Sequence, residues 1–326
     1  MRAARGLVIG KFYPPHHGHA HLIETARSHC EKLTVMVCAT PEQRPEGARR
    51  AGWLRELHPG VEVLLVEDLL GGNDSQGWAD FCKRMLGKAP DVVCTSEEYG
   101  EHFARYLGCV HILVDRERKQ VPVSGTAVRS APFANWAHIS PPVRAYYAKR
   151  VVIVGAESTG KTTLAQDLAA HYATEWVPEF GRAYAEEMLA RDGAYHWTTD
   201  DFTHIARTQC KHEESVARRA NKILICDTDA FATSIWHRRY VGAPSPAVEA
   251  IAATWRRPDL YLLADVNTPF VQDGTRDGEA IRGWMHQTFI DELTAQARPF
   301  VLVTGAREAR LRDAVAKIEQ LTARIY

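Results

Sequence analysis

No charge of either sign dominates this 326-residue chain: 40 Lys and Arg stand against 40 Asp and Glu. That balance gives no support to a nucleic-acid or anionic-membrane surface, although it leaves local basic patches open. No Cys-x-x-Cys pair occurs among the seven cysteines. Cys38, Cys94 and Cys226 instead sit inside the apolar runs VMVCA, VVCT and ILICD. They read as buried thiols of a reducing compartment, so the cytoplasm is the expected location. No apolar run approaches the roughly 18 residues that cross a bilayer. The apolar part of MRAARGLVIGKF is too short for a secretion signal. Repeats of the solenoid type are also missing.

What is present is apolar material, 45% of the chain, in a regular rhythm. Single cores rarely grow past about 250–300 residues, so two domains are expected. In the first half the runs LVIG, LTVMVCA, VEVLLV, DVVCTS and CVHILV alternate with mixed segments such as HLIETARSHCEK. This is the strand-helix-strand reading of a parallel sheet covered on both faces. The rhythm restarts at KRVVIVG and continues through NKILICD, LYLLAD and FVLVTG to a closing helix in AREARLRDAVAKIEQLTARIY. The prolines of SPPVRAYYAK, residues 140–149, end the first pattern. The expected fold is therefore α/β, with two parallel-sheet domains at 1–147 and 148–326.

The strongest local signal is GAESTGKT, Gly155 to Thr162, directly after VVIV. It satisfies G-x-x-x-x-G-K-T in the strand-turn-helix setting that a P-loop needs. Gly155 and Gly160 let backbone N–H groups of Ser158, Thr159 and their neighbours wrap phosphate oxygens. The helix that follows adds its positive end, with Thr163 in its first turn. Lys161 is expected to reach the β- and γ-phosphates of ATP, and Thr162 to hold Mg²⁺. The bland alternative is a glycine turn with a surface lysine.

A P-loop does not name the acceptor. Glu179 and Arg182 in EWVPEFGR, and Asp227 and Asp229 in ILICDTD, fall where open parallel sheets gather ligands. A carboxylate there can orient Mg²⁺ or accept a hydroxyl proton, and one of the two aspartates can equally be a helix N-cap. NTPFVQDGTRDG, with Arg276, suits a closing lid or an ordinary surface loop. Tyr184, Tyr195, Trp197, Trp236 and Tyr240 can stack on a flat ring or fill the core.

The stretch FYPPHHGHAH raises a different question. Zinc fits poorly, because no cysteine cluster accompanies the histidines and the spacing matches no paired-ligand pattern. The segment lies between strand LVIG and an amphipathic helix, which is the ligand-handling corner of an α/β sheet. With the helix starting near Gly18, His16 and His19 share a side beside its free N–H groups. Two imidazoles there can donate to phosphate oxygens and share developing charge. The reaction favoured is attack by one phosphate on the α-phosphorus of a triphosphate, with pyrophosphate leaving.

At this point the residues carry a resemblance. GKFYPPHHGH is similar to the GxFxPxHxGH signature of the nucleotidyltransferase superfamily that makes NAD and coenzyme A precursors, on Gly10, Phe12, Pro14, His16, Gly18 and His19. VSGTAVR resembles its second signature, ISxTxxR, on Ser124, Thr126 and Arg129. From physics alone VSGTAVR is a modest helix start with Thr126 near the cap. Together the two halves resemble the bifunctional NadR-type proteins, which join a nicotinamide mononucleotide (NMN) adenylyltransferase to a ribosylnicotinamide kinase. TSEEYG, EFGR, the CDTD region and the DG-x-R segment belong to the same resemblance. Longer family members begin with a helix-turn-helix repressor; here the first strand starts at about Leu7, so that domain and its role are not expected.

The resemblance implies a Rossmann-like nucleotidyltransferase domain followed by a P-loop kinase domain. The second would phosphorylate ribosylnicotinamide, with Glu179 or Asp227 as base, Asp227 also near the metal, Asp229 as a ribose contact, and Arg182 and Arg276 as phosphate clamps. The first would join NMN to the AMP part of ATP. His16, His19 and Arg129 would act on the phosphates, aided by Lys11, while Ser124 and Thr126 anchor ATP. Glu97, Tyr99 and Trp136 would lie near the pyridine nucleotide. Mg²⁺ would serve both steps. The expected partners are small molecules, with no nucleic acid and no membrane; self-association into a homo-oligomer is left open. The rival readings are a nucleotide-sensing regulator with little turnover and a P-loop NTPase acting on a macromolecule.

Overall fold

Each apolar run of the first half forms a strand in the computed structural model: β1 (Ala3–Gly10), β2 (Cys30–Ala39), β3 (Glu62–Glu67), β4 (Val92–Thr95) and β5 (Val110–Leu113). Every pairing is parallel and the order is β3-β2-β1-β4-β5. The helices between them are α1 (His17–His29), α2 (Gly47–Leu57), α3 (Ser75–Leu86) and α4 (Gly100–Leu107), with α5 (Gly125–Ser130) and α6 (Pro141–Tyr147) after the sheet. The period of two along β1 sorts its neighbours. Val8 packs with Leu22, Ile23 and Leu54 of α1 and α2, whereas Leu7 packs with Trp78 and Phe103 of α3 and α4. Both faces are thus covered, which is why these strands read as continuous rather than alternating apolar runs.

The second half repeats the plan with β6 (Lys149–Val154), α7 (Lys161–His171), β7 (Trp176–Val177), α8 (Phe180–Asp192), α9 (Thr199–Ala217), β8 (Ile223–Asp227), α10 (Ala230–Val241), α11 (Pro246–Thr254), β9 (Leu260–Ala264), α12 (Arg282–Ala295), β10 (Phe300–Val303) and α13 (Arg307–Ala323). Its sheet is also parallel, ordered β10-β9-β6-β8-β7. Val151, Ile153, Leu164, Leu168, Ala314 and Ile318 lie in one buried cluster, so α7 and the closing helix α13 share a face of this sheet.

The chain divides into two units, Met1–Val143 and Arg144–Tyr326, so the division falls inside α6 rather than at 147/148. The structure describes residues 2–70, 74–192, 196–272 and 278–323. Among them no helix is long and apolar enough to cross a membrane. In each sheet the first strand is central and the chain winds away from it to both sides, β2 and β4 flanking β1, β8 and β9 flanking β6. The crevice beyond the carboxyl ends of such strands is where an open α/β sheet takes ligands. The histidine turn leaves β1 there, and GAESTGKT leaves β6 there.

Candidate active sites

In the first unit the turn after β1 and the start of α5 close on each other. Gly125 makes the approach possible: a Cβ on it would lie 2.7 Å from the Tyr13 carbonyl oxygen. Arg129, one turn further along α5, donates to that same carbonyl and to Thr126 Oγ1 (3.1 Å), and its guanidinium lies over the Tyr13 ring, 4.3 Å from the centroid. Ser124, not Thr126, caps α5, its hydroxyl accepting from Ala127 N at 3.1 Å. The two signatures, a hundred residues apart in sequence, therefore form one wall. The wall borders a cavity of about 590 Å³ lined by Gly10, Lys11, Phe12, His16, Gly18, His19, Ser124, Thr126 and Arg129, and also by Glu97 and Tyr99.

His16 is the N-cap residue of α1 but spends no side-chain bond on capping. Its ring stacks on that of His19, with centroids 3.7 Å apart and planes 26° from parallel. The Nδ1 atoms of both rings are buried without a hydrogen-bond partner. Buried polar atoms are nearly always paired, so two orphans side by side mark groups arranged for a ligand. Burial first, then the positive charges of Arg118, His17 and His138, hold His16 down at about 3. Burial, His16 and Arg118 hold His19 well below its ordinary value. Both rings are therefore neutral at pH 7 and act as hydrogen-bonding groups, not as fixed charges. Lys11 is 3.2 Å from the buried carboxylate of Asp68. Among the described residues no group of three or more His, Cys, Asp or Glu could hold a metal ion.

In the second unit the P-loop residues Ser158, Thr159, Gly160, Lys161, Thr162 and Thr163 line a separate cavity of about 300 Å³. Gly160 has φ +80, a left-handed conformation that favours glycine and lets α7 begin directly at Lys161. Gly155 has φ +144, and a Cβ there would meet the Ala264 carbonyl at 2.8 Å, so it does its work behind the cavity rather than in it. Lys161 is buried and donates to the Ala156 carbonyl at 2.9 Å, across the mouth of its own loop. Thr162 donates to Asp227 Oδ2 at 2.6 Å, while Asp227 Oδ1 is buried without a partner. A threonine hydroxyl beside a carboxylate with a spare oxygen fits Mg²⁺, which takes few protein oxygens and completes its shell with water and phosphate.

Glu179, immediately before α8, faces the same cavity together with Arg182. Loss of water around its carboxyl pushes its pKa up to about 7; Lys161 and Arg182 pull the other way, and Asp227 and Glu157 add to the rise. Burial also raises Asp227, against the pull of Lys161 and Thr162. Two carboxyls near one lysine thus resist simultaneous ionisation. Trp197, Trp236 and Tyr240 form an aromatic wall, with Trp197 and Tyr240 5.4 Å apart between centroids. Tyr184 instead donates to Asp201 at 2.6 Å, and Tyr195 lies outside the described residues.

Two expected site residues lie elsewhere in the structure, and a third falls outside the described residues. Asp229 is buried and committed: one carboxylate oxygen caps α10 by accepting from Ala232 N at 2.9 Å, and the other accepts from Tyr261 Oη at 2.6 Å. It is the helix cap of the pair, and it does not line the cavity as a ribose contact would. Trp136 is buried with its ring edge-on to Phe133, centroids 5.7 Å apart, and does not line the first cavity. Arg276 lies outside the described residues, as do 273–277 of the expected lid.

Three residues escaped the sequence reading. Glu157 lines the kinase-side cavity and accepts from Tyr240 Oη (3.2 Å) and Gly278 N (2.9 Å). Arg310 of α13 is buried and holds the P-loop from behind, donating to the carbonyls of Thr159 (2.5 Å) and Asp265 (3.1 Å) and to Asn267 Oδ1 (2.5 Å). Arg118 lines the first cavity. The first sat unremarked inside the P-loop motif; the other two occupy positions that only tertiary structure brings to a site.

A nucleotidyltransferase-like unit followed by a P-loop unit, each with its own phosphate-sized corner, is the class that fold and geometry define. Family models agree: the cytidylyltransferase-like family matches residues 7–56 and the AAA domain family residues 150–310. The chain is 31% identical over 296 residues to the trifunctional NAD biosynthesis/regulator protein NadR of Escherichia coli, covering 83% of this chain and 71% of that one. The Salmonella typhimurium protein of the same name gives the same figures. The fold is similar to that of a NadR protein in complex with NR (TM-score 0.81, 22% identity, 99% of this chain and 97% of that one). It is also similar to a NadR protein in complex with NAD and AMP-PNP (TM-score 0.76, 21% identity, 98% and 96%). The chain belongs to the NadR family.

Proposed function

We propose that the protein makes NAD from ribosylnicotinamide in two ATP-dependent steps, one in each unit. The observation that carries this reading is the pair of separate cavities, each at the carboxyl end of a parallel sheet and each opening on a helix N-terminus beside groups suited to one kind of phosphate chemistry. The relatives named above, with their NR, NAD and AMP-PNP complexes, support it.

In the second unit ribosylnicotinamide lies against Trp197, Trp236 and Tyr240, and ATP lies on Gly155 to Thr163. Glu179 takes the proton of the 5′-hydroxyl as its oxygen bonds to the γ-phosphorus and ADP departs, leaving NMN. A carboxyl raised to about 7 is well matched to that transfer near neutral pH. Lys161 and Arg182 supply positive charge to the transferring group. Thr162 and Asp227 would hold Mg²⁺, which neutralises phosphate charge.

In the first unit a phosphate oxygen of NMN bonds to the α-phosphorus of a second ATP while the bond to pyrophosphate breaks. Neutral His16 and His19 donate hydrogen bonds to the phosphates at the reacting centre, and Ser124, Thr126 and Arg129 anchor the triphosphate. A reducing cytoplasm, where ATP is abundant, suits seven free cysteines.

Purified protein given MgATP and ribosylnicotinamide should produce NMN and then NAD. NMN accumulating without NAD would remove the first-unit assignment. Consumption of ATP with neither product would favour the rival readings, a nucleotide-sensing regulator or a P-loop NTPase acting on a macromolecule.

A further inference from the structure

Adenylyl transfer brings two multiply charged phosphates together, and the histidine pair cannot neutralise them, because both rings are uncharged. The other cations of the cavity are engaged. Lys11 is held by buried Asp68, and Arg129 is spread between the Tyr13 carbonyl, the Tyr13 ring and Thr126. Arg118 differs. It lines the cavity as they do, but its ion-pair partner Glu97, 3.2 Å away, is 55% exposed, whereas the Asp68 that holds Lys11 is 5% exposed.

The backbone brings Arg118 there at some cost. Asp115 and Arg118 both have left-handed conformations, φ 42 and 52. The turn between them is closed by Arg118 N donating to the Asp115 carbonyl at 2.8 Å. The Asp115 carboxylate then accepts from the backbone N–H groups of Lys119 (2.9 Å), Gln120 (3.2 Å) and Val121 (3.1 Å). Two non-glycine residues in this region of φ persist only where surrounding bonds fix them. Arg118, His16 and His19 line the same cavity, and the positive charge of Arg118 helps to hold both rings neutral.

We propose that Arg118 is the cation that meets the reacting phosphates of adenylyl transfer, and that Glu97 is its resting counter-ion, displaced when the nucleotides bind. The proposal rests on the first-unit activity proposed above. An exposed ion pair holds weakly, so a phosphate group, with more charge and more acceptor oxygens, replaces the carboxylate readily. Glu97 then acts as a placeholder rather than as a ligand of the pyridine nucleotide.

The test compares Arg118→Ala, Arg118→Lys, Glu97→Gln and the Arg118→Ala/Glu97→Gln double variant, by NAD formation from NMN and MgATP and by calorimetric titration with NAD. Arg118→Ala should lose at least 30-fold in kcat/KM, about 2 kcal/mol at 1.36 kcal/mol per decade, and bind NAD at least tenfold more weakly. Arg118→Lys should recover most of both, because charge is what the site needs. Glu97→Gln should lower KM for NMN or ATP, and in the double variant should add nothing to the loss. Arg118→Ala within threefold of wild type, or Lys as impaired as Ala, would overturn the proposal. So would a rise in KM for NMN in Glu97→Gln. If wild type made no NAD, the activity reading would fall; unchanged NAD affinity in Arg118→Ala would then overturn the proposal as well.

Discussion

The hydroxyl of Thr162 donates to Asp227 at 2.6 Å, tying the first turn of α7 to the end of β8. The link joins the P-loop to the strand beside it and leaves the other Asp227 oxygen buried and unpaired. In the proposed mechanism that oxygen serves Mg²⁺. Asp227→Asn keeps the shape and removes the charge. It should lower NMN formation by at least 100-fold, about 2.7 kcal/mol, and raise the Mg²⁺ concentration needed for half-maximal rate. Adenylyl transfer from supplied NMN should be unchanged. A magnesium titration of both reactions checks this.

Glu179 gives the kinase reaction a pH signature. The free enzyme must have this carboxyl ionised to accept a proton, and it titrates near 7. kcat/KM for ribosylnicotinamide should therefore rise about tenfold per pH unit below that point and level off above it. Glu179→Gln should flatten the limb and lower the plateau. The same shift has a stability consequence of opposite sense. An unfolded glutamic acid ionises near 4.5, so between about 4.5 and 7 the unfolded state releases the proton first, and the contribution of this group to stability falls as pH rises.

The histidine pair predicts acid sensitivity of the first unit. His16 titrates at about 3 in the folded protein against 6.5 ordinarily, and His19 is shifted the same way. Above 6.5 neither state binds the proton and the pair is neutral in its effect. As pH falls below 6.5 the unfolded chain gains protons the folded one refuses, and stability drops. From pH 7.5 to 5.5 the His16 ring alone should cost about 1.4 kcal/mol, and His19 adds to the loss in the same direction. Urea unfolding at the two pH values, with His16→Asn/His19→Asn as the comparison, measures it; the variant should lose less on acidification.

The sheets were legible because parallel strands buried on both faces must be written as unbroken apolar runs, and here each run began or ended within a few residues of its strand. Both phosphate corners were legible for a related reason: a loop that must present backbone N–H groups needs glycine at fixed places, as at Gly160. What the sequence could not separate was Asp227 from Asp229. Two carboxylates two residues apart, at the end of one strand, differ only in where the chain turns next. The turn sends one toward Thr162 and the other onto the N-terminus of α10 and the Tyr261 hydroxyl. Trp136 misled in the same way, since an aromatic near a signature packs as easily behind a cavity as in it. Arg118 and Arg310 were invisible because each belongs to its site through tertiary placement, with no motif of its own.

The central claim is that two independent corners each grip a triphosphate, one cleaving it at the α-phosphorus and the other at the γ. The most direct measurement follows NMN and NAD in the same preparations of His19→Ala and Lys161→Ala protein. His19→Ala should form NMN from ribosylnicotinamide at the wild-type rate and convert supplied NMN to NAD at least 100-fold more slowly, about 2.7 kcal/mol. Lys161→Ala should do the reverse. Equal loss of both reactions in either variant would contradict the account.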